Sequence, residues 1–538
     1  MFTGSAYQFT KYLLLNFHRI SVPGDATSPS TQGMSAIGTT PQAVQQPWQQ
    51  QRLTLRGSGQ SHRDGPAIID KVPGDVLLEI FDHCQDSNPI WEWHLLAHVC
   101  PRWRQIIFKS PHRLNLQILC TYGTPVRKGL SIWPPFPIVI DYRYSECGIA
   151  PNEEDNVIAA LEHPDRVCYL GLDVTGPQLQ IMATVMQDPF PVLTDLSILS
   201  EDRNVPVLPE KFLGRLAPSL QTIFLHAIPF PALPTLLLST GDLVDLRLHK
   251  IPPTGYISPA AIVVGLAALP RLESIIIEFQ SASPPPIQIR LPPETRTSLP
   301  CLTSFRFKGA SEYLEDLVAR IEGPRIKGIF VDYFNQLVDF QVAHLSHFID
   351  RSLVVGPEIT RSRPRRAHIT FFNDKVSFTT YNHTNHPGWD QCAAVATILC
   401  KEIDWQVSHV AQVLGYFSAT LSYLVHLKLE VQLKKLRHLE DTENVEWLHL
   451  LNRFSTVRTL RVSRELAGHV AHVLEDTVTK EMVVEIEALR SLDFIWLERQ
   501  PASSIARFVA SRRFSDHPVT VIHTETEFYK ILQSYTDK

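Results

Sequence analysis

The chain has 538 residues, 44% of them hydrophobic and 20% charged, with a formal net charge of −5. That length exceeds one ordinary core and predicts two or more domains or an extended repeat array. The small negative balance gives no basis for nucleic acid as the main partner, and the apolar runs fall far short of the roughly 18 residues a membrane-spanning helix requires, so a soluble protein is expected.

Residues 1–66 hold two acidic residues, Asp25 and Asp64, against five basic ones, and six glutamines fall within residues 41–51. Such a polar, biased segment cannot bury enough apolar surface to offset its ordering entropy, which predicts a disordered tail. The eight cysteines, Cys84, Cys100, Cys120, Cys147, Cys168, Cys301, Cys392 and Cys400, form no CxxC pair. They predict a reducing compartment, cytoplasmic and/or nuclear, rather than a disulfide framework or zinc site.

Ordered structure is predicted to begin near residue 67. Pro73 and Asp75 suit a helix start, and Val76, Leu77, Ile80, Phe81 and Cys84 share one apolar face. After a polar break at residues 85–89, Leu96, Val99 and Cys100 make a second short face, and Pro101 restarts the chain into Trp103, Ile106 and Ile107. Three short helices within residues 67–116 are too small a unit to bury a sufficient core alone. Leu77 and Ile80 are expected to be exposed apolar residues available to a partner.

Val72-Pro73, Asp75, Leu77, Leu78, Ile80-Phe81, Val99-Cys100 and Trp103 together resemble the F-box pattern. Val72 stands where the family usually has Leu, and the connection carrying Trp91 and Trp93 is longer than in compact F-boxes. The alternative is that these helices cap the domain that follows.

That following region, residues 117–500, carries apolar triplets at spacing i, i+3, i+5. They are Val167/Leu170/Leu172, Leu193/Leu196/Ile198, Leu220/Ile223/Leu225, Leu243/Leu246/Leu248, Leu272/Ile275/Ile277, Leu302/Phe305/Phe307 and Ile326/Ile329/Val331. Their starts lie 26, 27, 23, 29, 30 and 24 residues apart, the period of a leucine-rich repeat. Helical segments lie between them, clearest at 311–321, where Ser311 can cap. The asparagine ladder of regular repeats is absent, and prolines at 284–286 and 292–293 interrupt the array. The register is lost from about 335 to 420 and returns at Leu424/Leu427/Leu429, Val457/Leu460/Val462 and Leu489/Leu492/Phe494. Residues 501–538 are expected to cap the last repeat. The fold class expected is α/β, a three-helix F-box followed by an irregular leucine-rich-repeat solenoid with a parallel sheet, similar to the large fungal F-box family.

No phosphate-binding loop, nucleophile elbow or zincin string occurs, so no catalytic residue, cofactor or metal site is assigned. His383 and His386 could share a metal with Asp390 or Cys392, although their Gly/Pro/Asn-rich setting reads as a surface loop. Arg361, Arg363, Arg365 and Arg366 form a basic cluster that reads as a solvated loop, and Asn382-His383-Thr384 as a chance glycosylation triplet. The resemblance implies a substrate-recognition adaptor of a ubiquitin ligase, whose F-box docks a Skp-type adaptor, and through it a cullin, and whose repeats hold an unidentified protein target. A leucine-rich scaffold or regulatory protein outside any ligase is the alternative.

Strand alternation further predicts which residues leave the core. If the triplets point inward, Tyr169, Asp173, Asp195, Phe224, His226, Asp245, Arg247, His249, Glu278, Arg306, Lys308, Phe330 and Asp332 share the opposite face. Of these, Phe224, His226, Arg247, His249, Glu278, Arg306, Lys308 and Phe330 are the candidate target-binding residues.

Overall fold

Each i, i+3, i+5 triplet places its last two residues on one side of a strand and its first just before it, where a buried side chain anchors the turn into the strand. A computed structural model describes residues 72–85, 93–111, 113–124, 126–143, 149–281, 296–324, 326–334, 343–354, 365–381, 392–400, 403–417, 421–432, 444–479, 489–500, 502–513, 518–524, 526–528 and 530. The expected tail over 1–66, the prolines at 284–286 and 292–293, Arg361, Arg363 and the segment from 382 to 390 with His383, His386 and Asp390 lie outside the described residues.

The chain is mixed α/β, built on a large and mostly parallel sheet. Its strands are β1 (Ile118–Cys120), β2 (Ile138–Tyr142), β3 (Val167–Asp173), β4 (Asp195–Leu199), β5 (Thr222–His226), β6 (Asp245–Ile251) and β7 (Ser274–Phe279). After a two-residue β8 (Thr297–Ser298) come β9 (Ser304–Gly309), β10 (Ile321–Glu322) and β11 (Gly328–Tyr333). The remainder are β12 (Arg366–Phe372), β13 (Lys375–Tyr381), β14 (Cys392–Leu399), β15 (His426–Gln432), β16 (Thr459–Val462), β17 (Phe494–Leu497) and β18 (Thr520–Val521).

Sixteen strands form one sheet in the order β1-β2-β3-β4-β5-β6-β7-β9-β11-β14-β13-β12-β15-β16-β17-β18, while β8 and β10 pair separately. Only β13 runs antiparallel to its neighbours in that sheet. Residues 335–420, where the repeat spacing fails, thus do not interrupt the sheet. They add three strands to it, because Asn373-Asp374 forms a two-residue connection between β12 and β13 and the chain returns through β14 to pair with β11.

Two rows run through this insertion, apolar throughout except for the buried Thr380 in the first. Leu170, Leu196, Ile223, Leu246, Ile275, Phe305 and Ile329 stand opposite one another in register, and the row continues through Ala394, Thr380 and Ala367 to Leu427, Leu460 and Ile495. The second row, from Leu172 through Phe307 and Val331 to Leu429, Val462 and Leu497, follows it one pleat away. Helices cover these rows. Those at Ser311–Arg320, Ile403–Gly415, Asn444–Asn452 and Arg464–Thr479 bury Leu314, Leu317, Val407, Leu414, Trp447, Leu450, Leu466 and Val470.

Two local expectations need correction. The last triplet is Leu492/Ile495/Leu497, not Leu489/Leu492/Phe494: both satisfy the spacing, and pairing with β16 selects the set that puts Phe494 on the other face. The helix after β9 is capped by Ala310, with Ser311 already inside it and its hydroxyl 3.4 Å from Glu312.

The N-terminal helices are α1 (Gly74–Gln85), α2 (Trp93–Val99) and α3 (Pro101–Lys109). Pro73 precedes the first turn and its carbonyl accepts the Leu77 amide, so it occupies the capping position rather than the first helical one. Cys100 is extended at the start of α3, and its Sγ accepts the Trp103 amide at 3.4 Å. The Cys-Pro-x-Trp spacing is therefore a helix start: the thiol sits at the cap, proline at the first turn, and Trp103 three residues on. Trp103 packs on Phe81 with ring centroids 4.8 Å apart, which ties α3 to α1.

Neighbouring residues of β7 test the two faces directly. Ile275 is fully buried beneath the helices, whereas Ile276 points to the opposite face. Ile275→Ala should cost about 2–5 kcal/mol in urea unfolding and Ile276→Ala well under half as much, since only the first leaves a cavity in a closed core. Equal losses would show that the register is wrong.

Candidate functional site

Two surfaces carry the residues singled out from the sequence. On the helices, α1 presents two faces. Leu77 and Phe81 are each only 1% exposed, while Val76 is 45% and Ile80 46% exposed; Val99 at the end of α2 is 60% exposed. Leu77 is thus a core residue, contrary to the expectation that it faces a partner. The reason is the helical repeat: Leu77 and Phe81, four residues apart, meet Ala97 and Ile107 in the core, and Val76 and Ile80 turn outward together. Val72, Leu78 and Trp103 are partly buried and packed against the core; Cys100 is half-buried, and Pro73 is exposed. Val76 and Ile80 on α1, and Val99 at the end of α2, are left as exposed apolar side chains.

The second surface is the sheet face opposite the helices. One row of it runs in register through Ser197, Phe224, Arg247, Ile276, Arg306 and Phe330. It continues through Val395, Thr379, His368, Lys428 and Arg461 to Trp496. The eight candidate residues on β5 to β11 lie together. Phe224 sits 5.3 Å from the His249 ring and 6.4 Å from that of His226, and the two imidazoles are 6.2 Å apart. His249 Nδ1 donates to Glu278 Oε2 at 2.8 Å. Arg247 pairs with Asp245, and the Arg306 guanidinium lies over the Phe330 ring, 5.0 Å from its centre.

Charge is compensated locally along this face. Arg143 forms a fork with Asp141, both bonds 2.9 Å, and lies 5.0 Å over Tyr169; it fits because Gly171 has no Cβ, which would meet Arg143 Nε at 2.8 Å. Beyond the predicted cluster, Glu430 receives His368 at 2.8 Å and Lys428 at 2.9 Å, which hold its carboxyl down to about 2. Arg461 pairs with Glu498 at 2.8 Å and stacks 4.2 Å from Trp496, which Ile522 and Phe528 cover. His368 was not legible because the repeat register through 335–420 was missing, although the Asn373-Asp374 turn between alternating apolar residues was a usable signal; Lys428, Glu430 and Arg461 flank the triplets at Leu427/Leu429 and Leu460/Val462, where alternation alone places them on this face.

Burial shifts several of these groups. It raises the Asp332 carboxyl, against the opposing effect of a Thr397 hydrogen bond, and raises Asp173, with Glu201 adding to the effect. Burial also favours the neutral form of Glu278, but the hydrogen bond from His249, with Arg306 and Lys308 nearby, outweighs it and keeps the carboxyl low. His226 is 8% exposed; its Nε2 has no hydrogen-bond partner, and the Glu201 carboxylate stands 4.0 Å away. Burial, with Lys250 and His249 adding repulsion, lowers it to about 4.

Among the described residues no group of His, Cys, Asp and Glu is placed to hold a metal ion, and no helix is long and apolar enough to cross a membrane. Burial pushes the Cys120 thiol up to about 12 and Cys168 up to about 11, so neither is a thiolate near neutrality. No family model matches the chain, and no curated protein matches it.

The His226 environment sets a pH dependence. Its folded value of about 4 lies below the ordinary 6.5, so as pH falls the unfolded chain takes up the proton first. Its contribution to stability is intact above about 6.5 and declines as pH drops towards 4. In urea midpoints measured from pH 7.5 to 4, His226→Asn should show a shallower decline than wild type; parallel curves would contradict this account.

Proposed function

We propose that this protein is a substrate-recognition adaptor of a Skp-cullin-F-box ubiquitin ligase. In this reading α1 to α3 are the F-box that docks the Skp-type adaptor, and the sheet is a degenerate leucine-rich-repeat solenoid whose open face holds a target protein. The observation that carries the reading is the exposure of Val76 and Ile80 one helical turn apart on α1, with Val99 exposed at the end of α2, while Leu77, Phe81, Ala97 and Ile107 are buried in the core. Apolar residues are left in water where a partner is to cover them. The order of parts fits as well: a small helical module precedes a long run of strands added nearly in chain order, which offers a broad side-chain surface. On this reading the covalent chemistry belongs to other subunits, and the chain contributes two binding surfaces.

One observation favours the second reading, a scaffold in which the helices serve as an N-terminal cap. Phe108 of α3 packs against Trp133 and Phe136, centroids 5.8 and 5.6 Å apart, and His98 packs edge-on to Trp133 at 5.5 Å. These contacts seal the β1 edge region whether or not an adaptor binds.

Recovery of the adaptor separates the two. A Val76→Asp, Ile80→Asp double variant changes exposed positions only and should keep the wild-type unfolding midpoint, while adaptor co-purification falls to background. Leu77→Glu, by contrast, buries a charge and should disrupt the helices themselves. Undiminished adaptor recovery by the folded double variant, or none by wild type, would leave the scaffold reading.

A further inference from the structure

We propose that Arg306 and Lys308 are the point on the open face that reads charge, accepting carboxylates from an acidic, extended segment of the target protein. This rests on the adaptor reading for the identity of the face as a target surface, but not on the helices.

Four other cations of this face, Arg143, Arg247, Lys428 and Arg461, each have a carboxylate in direct contact. Arg306 and Lys308 do not: among the described residues neither side chain makes an ion pair or a hydrogen bond. They stand two residues apart on β9 and point to the same side. Acids are present on both neighbouring strands, with Lys308 opposite Glu278 on one side and Asp332 on the other. Both acids feel these two cations through space but take their hydrogen bonds elsewhere, Glu278 from His249 and Asp332 from Thr397, and neither is within ion-pair distance of Arg306 or Lys308. The side-chain N–H groups of Arg306 and Lys308 therefore remain available.

Arg306 is also held for the task. Its guanidinium carbon lies 5.0 Å from the centre of the Phe330 ring, a cation–π contact that restricts the side chain without using its N–H donors in a hydrogen bond. A carboxylate meets a guanidinium edge with two parallel hydrogen bonds, and little side-chain freedom is lost on binding. The aromatic rings on either side, Phe330 and, across β6 and β7, Phe224, suit apolar or aromatic residues flanking the acid. A segment alternating acidic and aromatic residues has the matching chemistry. A neutral segment would leave the two cations without a carboxylate in direct contact as the interface lost its water.

The test uses the full chain and a fluorescein-labelled peptide of alternating Glu and Tyr, with Gln-Tyr and Lys-Tyr counterparts. The Glu-Tyr peptide should bind saturably and about tenfold or more tighter than the Gln-Tyr peptide, and Arg306→Gln with Lys308→Gln should remove that preference. Arg306→Lys keeps the charge but not the fork, and should give an intermediate loss. Arg461→Gln, at a cation already paired with Glu498, should leave binding unchanged. Absence of saturable Glu-Tyr binding, equal binding of the Gln-Tyr peptide, or an unchanged preference in the folded R306Q/K308Q variant overturns the proposal. The V76D/I80D variant should retain peptide binding, so loss of adaptor recovery and loss of charge reading fail independently.

Discussion

The structure depends on one constraint: a wide sheet that, among the described residues, is roofed by helices on a single side. Parallel sheets are ordinarily covered on both faces, because each strand otherwise exposes a full row of side chains to water. Here the roofed side carries two continuous rows, from Leu170 and Leu172 to Ile495 and Leu497, apolar but for the buried Thr380. The position before each strand, as at Leu193, Leu220, Leu243, Leu272 and Leu302, adds a third layer beneath the turns. Phe305 and Phe307 on β9 and Trp447 in the helix at 444–452 are the bulky parts of that core, and truncating such residues typically costs about 3–5 kcal/mol each.

The open side must meet a different requirement. Side chains one strand apart stand about 5 Å from each other, so bare like charges would repel and bare apolar rows would invite association. The chain resolves this by pairing in place: Asp141 with Arg143, Asp245 with Arg247, His249 with Glu278, His368 and Lys428 with Glu430, and Arg461 with Glu498. Such half-buried pairs contribute little net stability but fix the positions of their donors and acceptors. A face organised in this way is preorganised for a partner, and the places where pairing is incomplete, Arg306, Lys308 and the Nε2 of His226, become the informative ones.

The sheet ends are kept short. β1 has three residues and β18 two, which limits the unpaired backbone available for edge-to-edge association. At the first end Phe108, Trp133 and Phe136 join α3 to the region around β1, and at the last end Phe528 and Ile522 cover Trp496. The N-terminal helices are thus held to the sheet through α3, while the outer face of α1, with Val76 and Ile80, remains uncovered.

The sequence by itself determined the strands wherever the triplet spacing is intact, because an i, i+3, i+5 pattern that buries three residues per strand leaves one choice of face; β3 to β7, β9, β11, β15 and β16 follow it. It also determined that Phe224, His226, Arg247, His249, Glu278, Arg306, Lys308 and Phe330 share a surface, since alternation places them opposite the buried rows. Only the tertiary structure decided the rest. β1 and β2 lack the apolar first position, since the register that sets Cys120 and Ile140 opposite Leu170 puts Gln117 and Pro137 there, so these strands carried no triplet. At the last triplet, 489/492/494 and 492/495/497 satisfy the same spacing, and only pairing with β16 distinguishes them. The reversed β13 fits the sheet because its alternation of Val376, Phe378 and Thr380 serves either direction, and direction is set by pairing. On α1 the apolar stripe is wide enough to suggest one continuous face. Packing against Ala97 and Ile107 divides it, sending Leu77 and Phe81 inward and leaving Val76 and Ile80 in water, a choice that depends on neighbours more than ten residues away.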